Sequence, residues 1–108
     1  MEMKKVSDIT YLDIANYIKI DVTNDNPLEN ELKTYLNVAK NFISNYTGIP
    51  ESATDDNTET LDSYPDFIIV VLILCQDMYD NRTMYVDGKN INKVVQTILD
   101  MHVKVNIG

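Results

Sequence analysis

The stretch PDFIIVVLILCQDMYDNR, residues 65–82, decides the fold of this chain. The nine residues 67–75 are all uncharged, so a helix formed here has no polar face along its first half. Such a helix must be surrounded, either by the rest of this small chain or by neighbouring subunits. The stretch therefore predicts a long central apolar helix that begins at Pro65 and ends near Arg82.

Length and composition limit the class of protein. The 108 residues are sufficient for one hydrophobic core, so a single domain, residues 1–108, is predicted. A hydrophobic fraction of 44% and a charged fraction of 24% are typical of a soluble folded protein. The apolar run is far shorter than the roughly 20 residues that cross a bilayer. Polar residues such as Ser7 and Asp8 interrupt any signal-peptide pattern, so we expect the protein in its host's cytoplasm.

The net charge argues against a nucleic-acid-binding protein. The chain has 17 acidic and 9 basic residues, which gives a formal charge of −8. Such a surface repels a phosphate backbone, and the basic residues form no cluster beyond the pair Lys4 and Lys5.

Three further helices are predicted around the central one. The first is capped by Thr10 and ends near Lys19. The second begins at Asn26 and Pro27, an Asn cap followed by proline at the first helical position, and ends before Gly48. The fold class is therefore all-α, a small bundle of about four helices. The central helix is expected to be capped by Ser63 or Tyr64.

Apolar residues of the second helix repeat at spacings of three and four. This pattern fits either a coiled-coil seam or one face of a bundle helix. Leu36 and Ile43 widen the apolar stripe, which favours the bundle.

The last helix follows the turn signal Asp87-Gly88, which predicts a tight turn or a minimal hairpin. Asn90 is the predicted cap of this helix, which ends near Met101. The residues after it alternate like a strand, so we expect a short extended tail that adds to a neighbouring subunit's surface. The candidate interface residues of this tail are Val103, Val105 and Ile107.

A polar, acidic segment, residues 51–62, separates the second helix from the central one. It is longer than the usual connection in so small a domain, so we expect an exposed loop that faces solvent, a partner or a lumen. Asp55, Asn57 and Glu59 alternate like the start of a calcium-binding loop. Thr60, however, stands where that loop needs glycine, so we predict a solvated acidic loop without a metal site.

The sequence shows no catalytic constellation. With one histidine, one cysteine and three glycines, it offers neither a nucleophile paired with a base nor a glycine-rich phosphate loop. His102 falls on the apolar face of the last helix, where a packed or interfacial imidazole is expected. Cys75 lies inside the apolar run and is expected to be a buried, unreactive thiol. We therefore predict no enzymatic activity and no cofactor.

The central helix ends in a polar cluster that includes Tyr79, Asn81 and Arg82. An arginine at a helix end can bond the last helix carbonyls or a carboxylate on another element, which makes an intrachain brace one interpretation. Tyrosine and arginine are also enriched in protein interfaces, so a subunit contact is the other. The sequence leaves both open.

Two motifs give the chain a family resemblance. The proline-initiated central helix ends in Tyr-X-Asn-Arg, residues 79–82, and the helix before it ends in Tyr-Thr-Gly, residues 46–48. A chain with these motifs in this order resembles the head-tail connector proteins, or head completion adaptors, of tailed bacteriophages and prophages. The resemblance extends over residues 9–102.

The resemblance implies a small helical protein that assembles as a ring, dodecameric in the virion, below the portal of the capsid. Such a ring joins the portal protein to the next neck or tail completion protein, and double-stranded DNA passes through it without sequence reading. The implied location is the virion neck, reached from the host cytoplasm and without a membrane. An acidic channel lining repels phosphates, and its candidate residues are Asp55, Asp56 and Glu59.

The alternative hypothesis is a small acidic helical adaptor or regulator that binds a protein partner through a groove of the bundle. A hydrolase that uses the acidic loop is a third class, but no motif supports it. The oligomeric state in the presence of portal protein distinguishes the first two hypotheses.

Overall fold

The computed structural model describes residues 5–53 and 59–103. In this part of the chain all regular structure is helical. Two short 3-10 helices, Val6–Asp8 and Leu61–Ser63, accompany four α-helices. The α-helices are α1 Tyr11–Ile18, α2 Asn26–Thr47, α3 Asp66–Asn81 and α4 Lys93–His102. The predicted all-α bundle of about four helices is confirmed.

The apolar helix α3 is the centre of the bundle. It contacts α1, α2 and α4, and its contact with α2 is the most extensive in the molecule. Because apolar side chains surround the helix, one neighbouring helix is not enough to cover them. Ile69 remains 38% exposed. The buried side chains of α3 are Phe67, Val70, Val71, Leu72, Leu74, Cys75 and Met78.

Helix α2 supplies the facing side of the core. Leu36 and Ile43 are both buried, so the stripe is as wide as a bundle helix needs. The buried Thr47 hydroxyl donates to the Ile43 carbonyl at 2.8 Å and accepts from the Ile49 N–H at 3.2 Å. These two bonds satisfy the polar group inside the core.

Side-chain caps fix the starts of α1 and α2. The Thr10 N–H donates to the Asp13 carboxylate at 2.8 Å and the Asp13 N–H donates to the Thr10 hydroxyl at 3.4 Å, which completes a capping box. Asp25 caps α2, because its carboxylate accepts from the Leu28 N–H at 3.0 Å. The prediction that Asn26 is the cap is therefore wrong by one residue. A carboxylate at this position also complements the positive end of the helix dipole.

The start of α3 also differs from the prediction. Pro65 is the capping residue, with φ −58° and ψ −23°, and it makes no side-chain cap. The predicted cap by Ser63 or Tyr64 is wrong because Leu61–Ser63 forms a 3-10 helix of its own.

Asn92 caps α4 in place of the predicted Asn90. Its side-chain oxygen accepts from the N–H groups of Val94 and Val95 at 2.8 and 3.4 Å. Asn90 instead donates to the Asp87 carboxylate at 2.8 Å, within the predicted turn. The predicted tight turn is therefore present. No strand flanks it in the described residues, so the alternative of a minimal hairpin is wrong.

Helix α4 runs antiparallel to α3. Its last residue, His102, contacts Asp66 at the start of α3, whereas Ile91, just before α4, lies beside Leu74 and Met78. The chain that follows α4 therefore begins at the amino end of α3. Val103 begins it in an extended conformation, with φ −62° and ψ 127°.

Cys75 provides a test of the core. The thiol is buried, and burial raises its pKa to about 12, so almost no thiolate exists at neutral pH. We expect an aromatic disulfide reagent to label the folded protein at least about a hundredfold more slowly than the urea-unfolded protein, because labelling requires the core to open. Equal labelling rates would contradict the buried position.

Candidate functional site

The polar cluster predicted from the sequence lies at the carboxyl end of α3. Arg82 ends the helix in the left-handed conformation, with φ 50°, and its backbone N–H donates to the Tyr79 carbonyl at 3.2 Å. The Asn81 amide donates to the Asp77 carbonyl at 2.9 Å. Both residues therefore satisfy carbonyl groups that the helix end leaves free.

The Arg82 side chain braces α3 against α2. Its Nη1 donates to both carboxylate oxygens of Glu31 at 3.1 Å. The guanidinium carbon also lies 4.4 Å from the centroid of the Tyr79 ring, which is a cation–π distance. The Glu31 side chain is only 18% exposed, whereas that of Arg82 is 60% exposed.

Tyr35 extends this brace into the core. Its hydroxyl donates a hydrogen bond to Glu31, and its ring is buried. Burial, together with the bond to Glu31, raises the pKa of Tyr35, so the phenol stays protonated and remains a donor. The intrachain brace that the sequence offered for Arg82 is present. The Arg82 side chain is 60% exposed, so another molecule can contact it while it remains bonded to Glu31.

Sequence reasoning missed Glu31 as the partner of Arg82. A signal was present, because Glu31 precedes Tyr35 by four residues and so shares its helix face. A carboxylate on a face that is otherwise apolar needs a partner when it is partly buried.

A second cluster lies at the amino end of α3. The His102 ring packs against Tyr64 and Phe67, with ring centroids 4.3 and 5.0 Å apart. Its Nε2 lies 3.1 Å from the Asp66 carboxylate, and the side chain is 15% exposed. The expected packed imidazole is confirmed.

The candidate channel-lining residue Glu59 lies beside this cluster. It accepts a hydrogen bond from the Tyr64 hydroxyl, which holds its carboxylate against the bundle. Val103, a candidate interface residue, leaves α4 at the same end and is 36% exposed. Four other candidates lie outside the described residues: Asp55, Asp56, Val105 and Ile107.

Exposed apolar side chains accompany both clusters. Met84 and Tyr85, which follow the brace, are 54% and 64% exposed. Met101, beside Val103 at the other end, is 64% exposed. The 16-residue helix α3 separates the two ends by about 24 Å.

No group of three His, Cys, Asp or Glu side chains within residues 5–53 and 59–103 is placed to hold a metal ion. None of the helices described combines the length and apolar composition of a membrane span.

Comparison of the chain with family models, with curated proteins and with solved structures found no match. The resemblance to connector proteins therefore rests on the sequence motifs.

The brace predicts a coupling between Arg82 and Glu31. Arg82→Ala is expected to lower the free energy of unfolding by about 1–2 kcal/mol, because it removes a charged donor from a carboxylate that is mostly buried. Combined with Glu31→Gln in a double-mutant cycle, it should show a coupling of about 1 kcal/mol by urea unfolding.

The exposed pair of Lys33 and Glu29, whose charged atoms are 2.8 Å apart, is the matched control. Lys33→Ala should destabilise the protein clearly less than Arg82→Ala, since both partners are accessible to water. Strictly additive effects of the Arg82 and Glu31 substitutions would contradict the brace.

Proposed function

We propose that this chain is a structural protein of a phage virion neck. In this role it assembles as a ring below the portal, joins the capsid to tail components and forms part of the DNA passage. The motifs of residues 46–48 and 79–82 and the all-helical bundle both agree with the connector family that the sequence resembles.

One observation of the structure supports assembly most strongly. Exposed apolar side chains lie at opposite ends of α3, with Met84 and Tyr85 at one end and Met101 and Val103 at the other. A closed ring of identical subunits needs two different patches on each subunit, because each copy binds its neighbours head to tail. Two separated patches meet that requirement, whereas a single patch favours a symmetric dimer.

The charge of the chain agrees with DNA passage. Each copy carries a formal charge of −8, so a ring of many copies has a strongly negative field. Such a field repels the phosphate backbone and keeps DNA from adhering to the channel wall. The negative charge thus favours transit over binding.

A groove beside the carboxyl end of α3 favours the second candidate function, an acidic adaptor that binds a protein partner. The groove has a volume of about 600 Å³ and lies between α3 and the connection to α4. A groove of this size is sufficient for a short peptide segment. An adaptor, unlike a connector, does not need to form a ring.

Assembly in the presence of a portal protein tests the proposal. The unmodified chain, at high concentration and mixed with the portal protein encoded in the same genome, is expected to form a dodecameric ring on portal particles. Light scattering gives the mass and negative-stain images give the symmetry. Only monomers or dimers, with portal present, would contradict the neck function and leave the adaptor.

Single substitutions refine this test. Tyr85→Asp and Met101→Asp should each prevent ring formation, since each places a charge in one of the two apolar patches. Leu12→Asp is the matched control, because Leu12 is 49% exposed on α1 and belongs to neither patch. Circular dichroism should show the same helix content in all three variants. Loss of rings in the control alone would place the contacts elsewhere.

A further inference from the structure

An acidic groove lies between the last turns of α3 and the connection that leads to α4. Its volume is about 600 Å³. Tyr85, Val86 and Ile91 give it an accessible apolar side, and Asp77 and Asp87 contribute two carboxylates. Among the described residues that line it, none is a lysine or an arginine. The groove therefore suits a positively charged ligand that also carries a few apolar side chains.

Asp77 is exposed to solvent in this groove, so a partner can reach its carboxylate. Partial burial, followed by the nearby charge of Asp80, raises the pKa of Asp77, because both disfavour its ionised form. Arg82, close to it in sequence, is already engaged with Glu31 and Tyr79. In the described part of the chain, Asp77 forms no ion pair.

The segment that follows α4 has the matching chemistry. Residues 103–108 read VKVNIG, so apolar residues alternate around a single lysine. Val103 is extended where the segment begins, and an extended chain can lay its alternate side chains against an apolar surface. The four-carbon stem of Lys104 lets its ammonium group reach a carboxylate at the rim of the groove.

The segment is too short to pair Lys104 with Asp77 of the same chain. It begins at the amino end of α3, where His102 contacts Asp66 at 3.1 Å. Met78 lies about 18 Å farther along α3, at 1.5 Å per residue. Two fully extended residues span about 7 Å, so Lys104 remains short of Asp77 of its own chain, which lies about 16 Å along α3. The occupant that fits is the same segment of a second copy.

We propose that residues 103–108 of one copy bind the acidic groove of the next copy. Lys104 pairs with Asp77 across this contact. Val105 and Ile107 pack on the apolar side of the groove. The inference rests on the proposed ring, since head-to-tail assembly brings the amino end of α3 in one copy against the carboxyl end in the next.

Zero-length cross-linking of the full chain tests the contact directly. A water-soluble carbodiimide joins a lysine ammonium to a carboxylate as an amide, with loss of water and without a spacer. The assembled protein is prepared as an equal mixture of ordinary and nitrogen-15-labelled chains, with portal present. Mass spectrometry of the digested product is expected to find Lys104 joined to Asp77 in peptides that combine both isotopes.

Three results overturn the inference. The first is a cross-link between Lys104 and Asp77 found only within one isotope, which means that the segment folds into its own groove. The second is rings on portal particles without this cross-link, which leaves the neck function intact. The third is failure of the protein to associate at all, which removes both proposals. Mixed-isotope cross-links without portal binding would support the contact and contradict the neck function.

Charge variants give an independent readout. Lys104→Glu should weaken self-association by about tenfold or more, because it places like charges together. Lys104→Arg is the matched control, which keeps the charge and the assembly but cannot form the cross-link. Combining Lys104→Glu with Asp77→Lys should restore assembly. Failure of this reversal, with helix content unchanged, would contradict the pairing.

Discussion

The structure depends on the need to cover an apolar helix on every side. Helix α3 has no polar face along its first half. Exposing any side of this half to water therefore costs free energy. Helices α1, α2 and α4 surround it, and the most extensive contact is with α2. Because most of the sides of α3 are covered by the core, the contacts that we propose with partners lie toward its two ends.

Each end of α3 is held by a different kind of interaction. At the carboxyl end, Arg82 and Tyr35 both donate to Glu31, which ties α3 to α2 across a mostly buried carboxylate. At the amino end, His102 packs against Tyr64 and contacts Asp66, which ties α4 to α3. These contacts position the exposed apolar side chains nearby. The proposed head-to-tail assembly uses both ends in each copy.

Much of this fold follows from periodicity, and the exceptions have physical causes. The apolar run predicts α3, and the spacing in α2 predicts a bundle helix. The observed capping residues differ from the predicted ones by one or two positions. At the start of α2, for example, Asp25 and Asn26 are adjacent and both have side chains that can cap a helix. The spacing of Glu31 from Tyr35 indicates that Glu31 needs a partner, but no local pattern specifies Arg82, which is 51 residues away. The acidic groove likewise exists only once α3 and the connection to α4 are brought together.

The central claim is that the two ends of α3 carry different, complementary contacts. A mixing experiment with two blocked variants, Tyr85→Asp and Met101→Asp, tests it most directly. When one molecule of each variant meets the other, one of the two possible contacts contains no substitution. The other contact would bring the two introduced aspartates together. Native mass spectrometry should therefore find monomers of each variant alone and a one-to-one heterodimer when they are mixed. Homodimers of either variant, or no heterodimer under conditions in which the unmodified chain assembles, would contradict the claim.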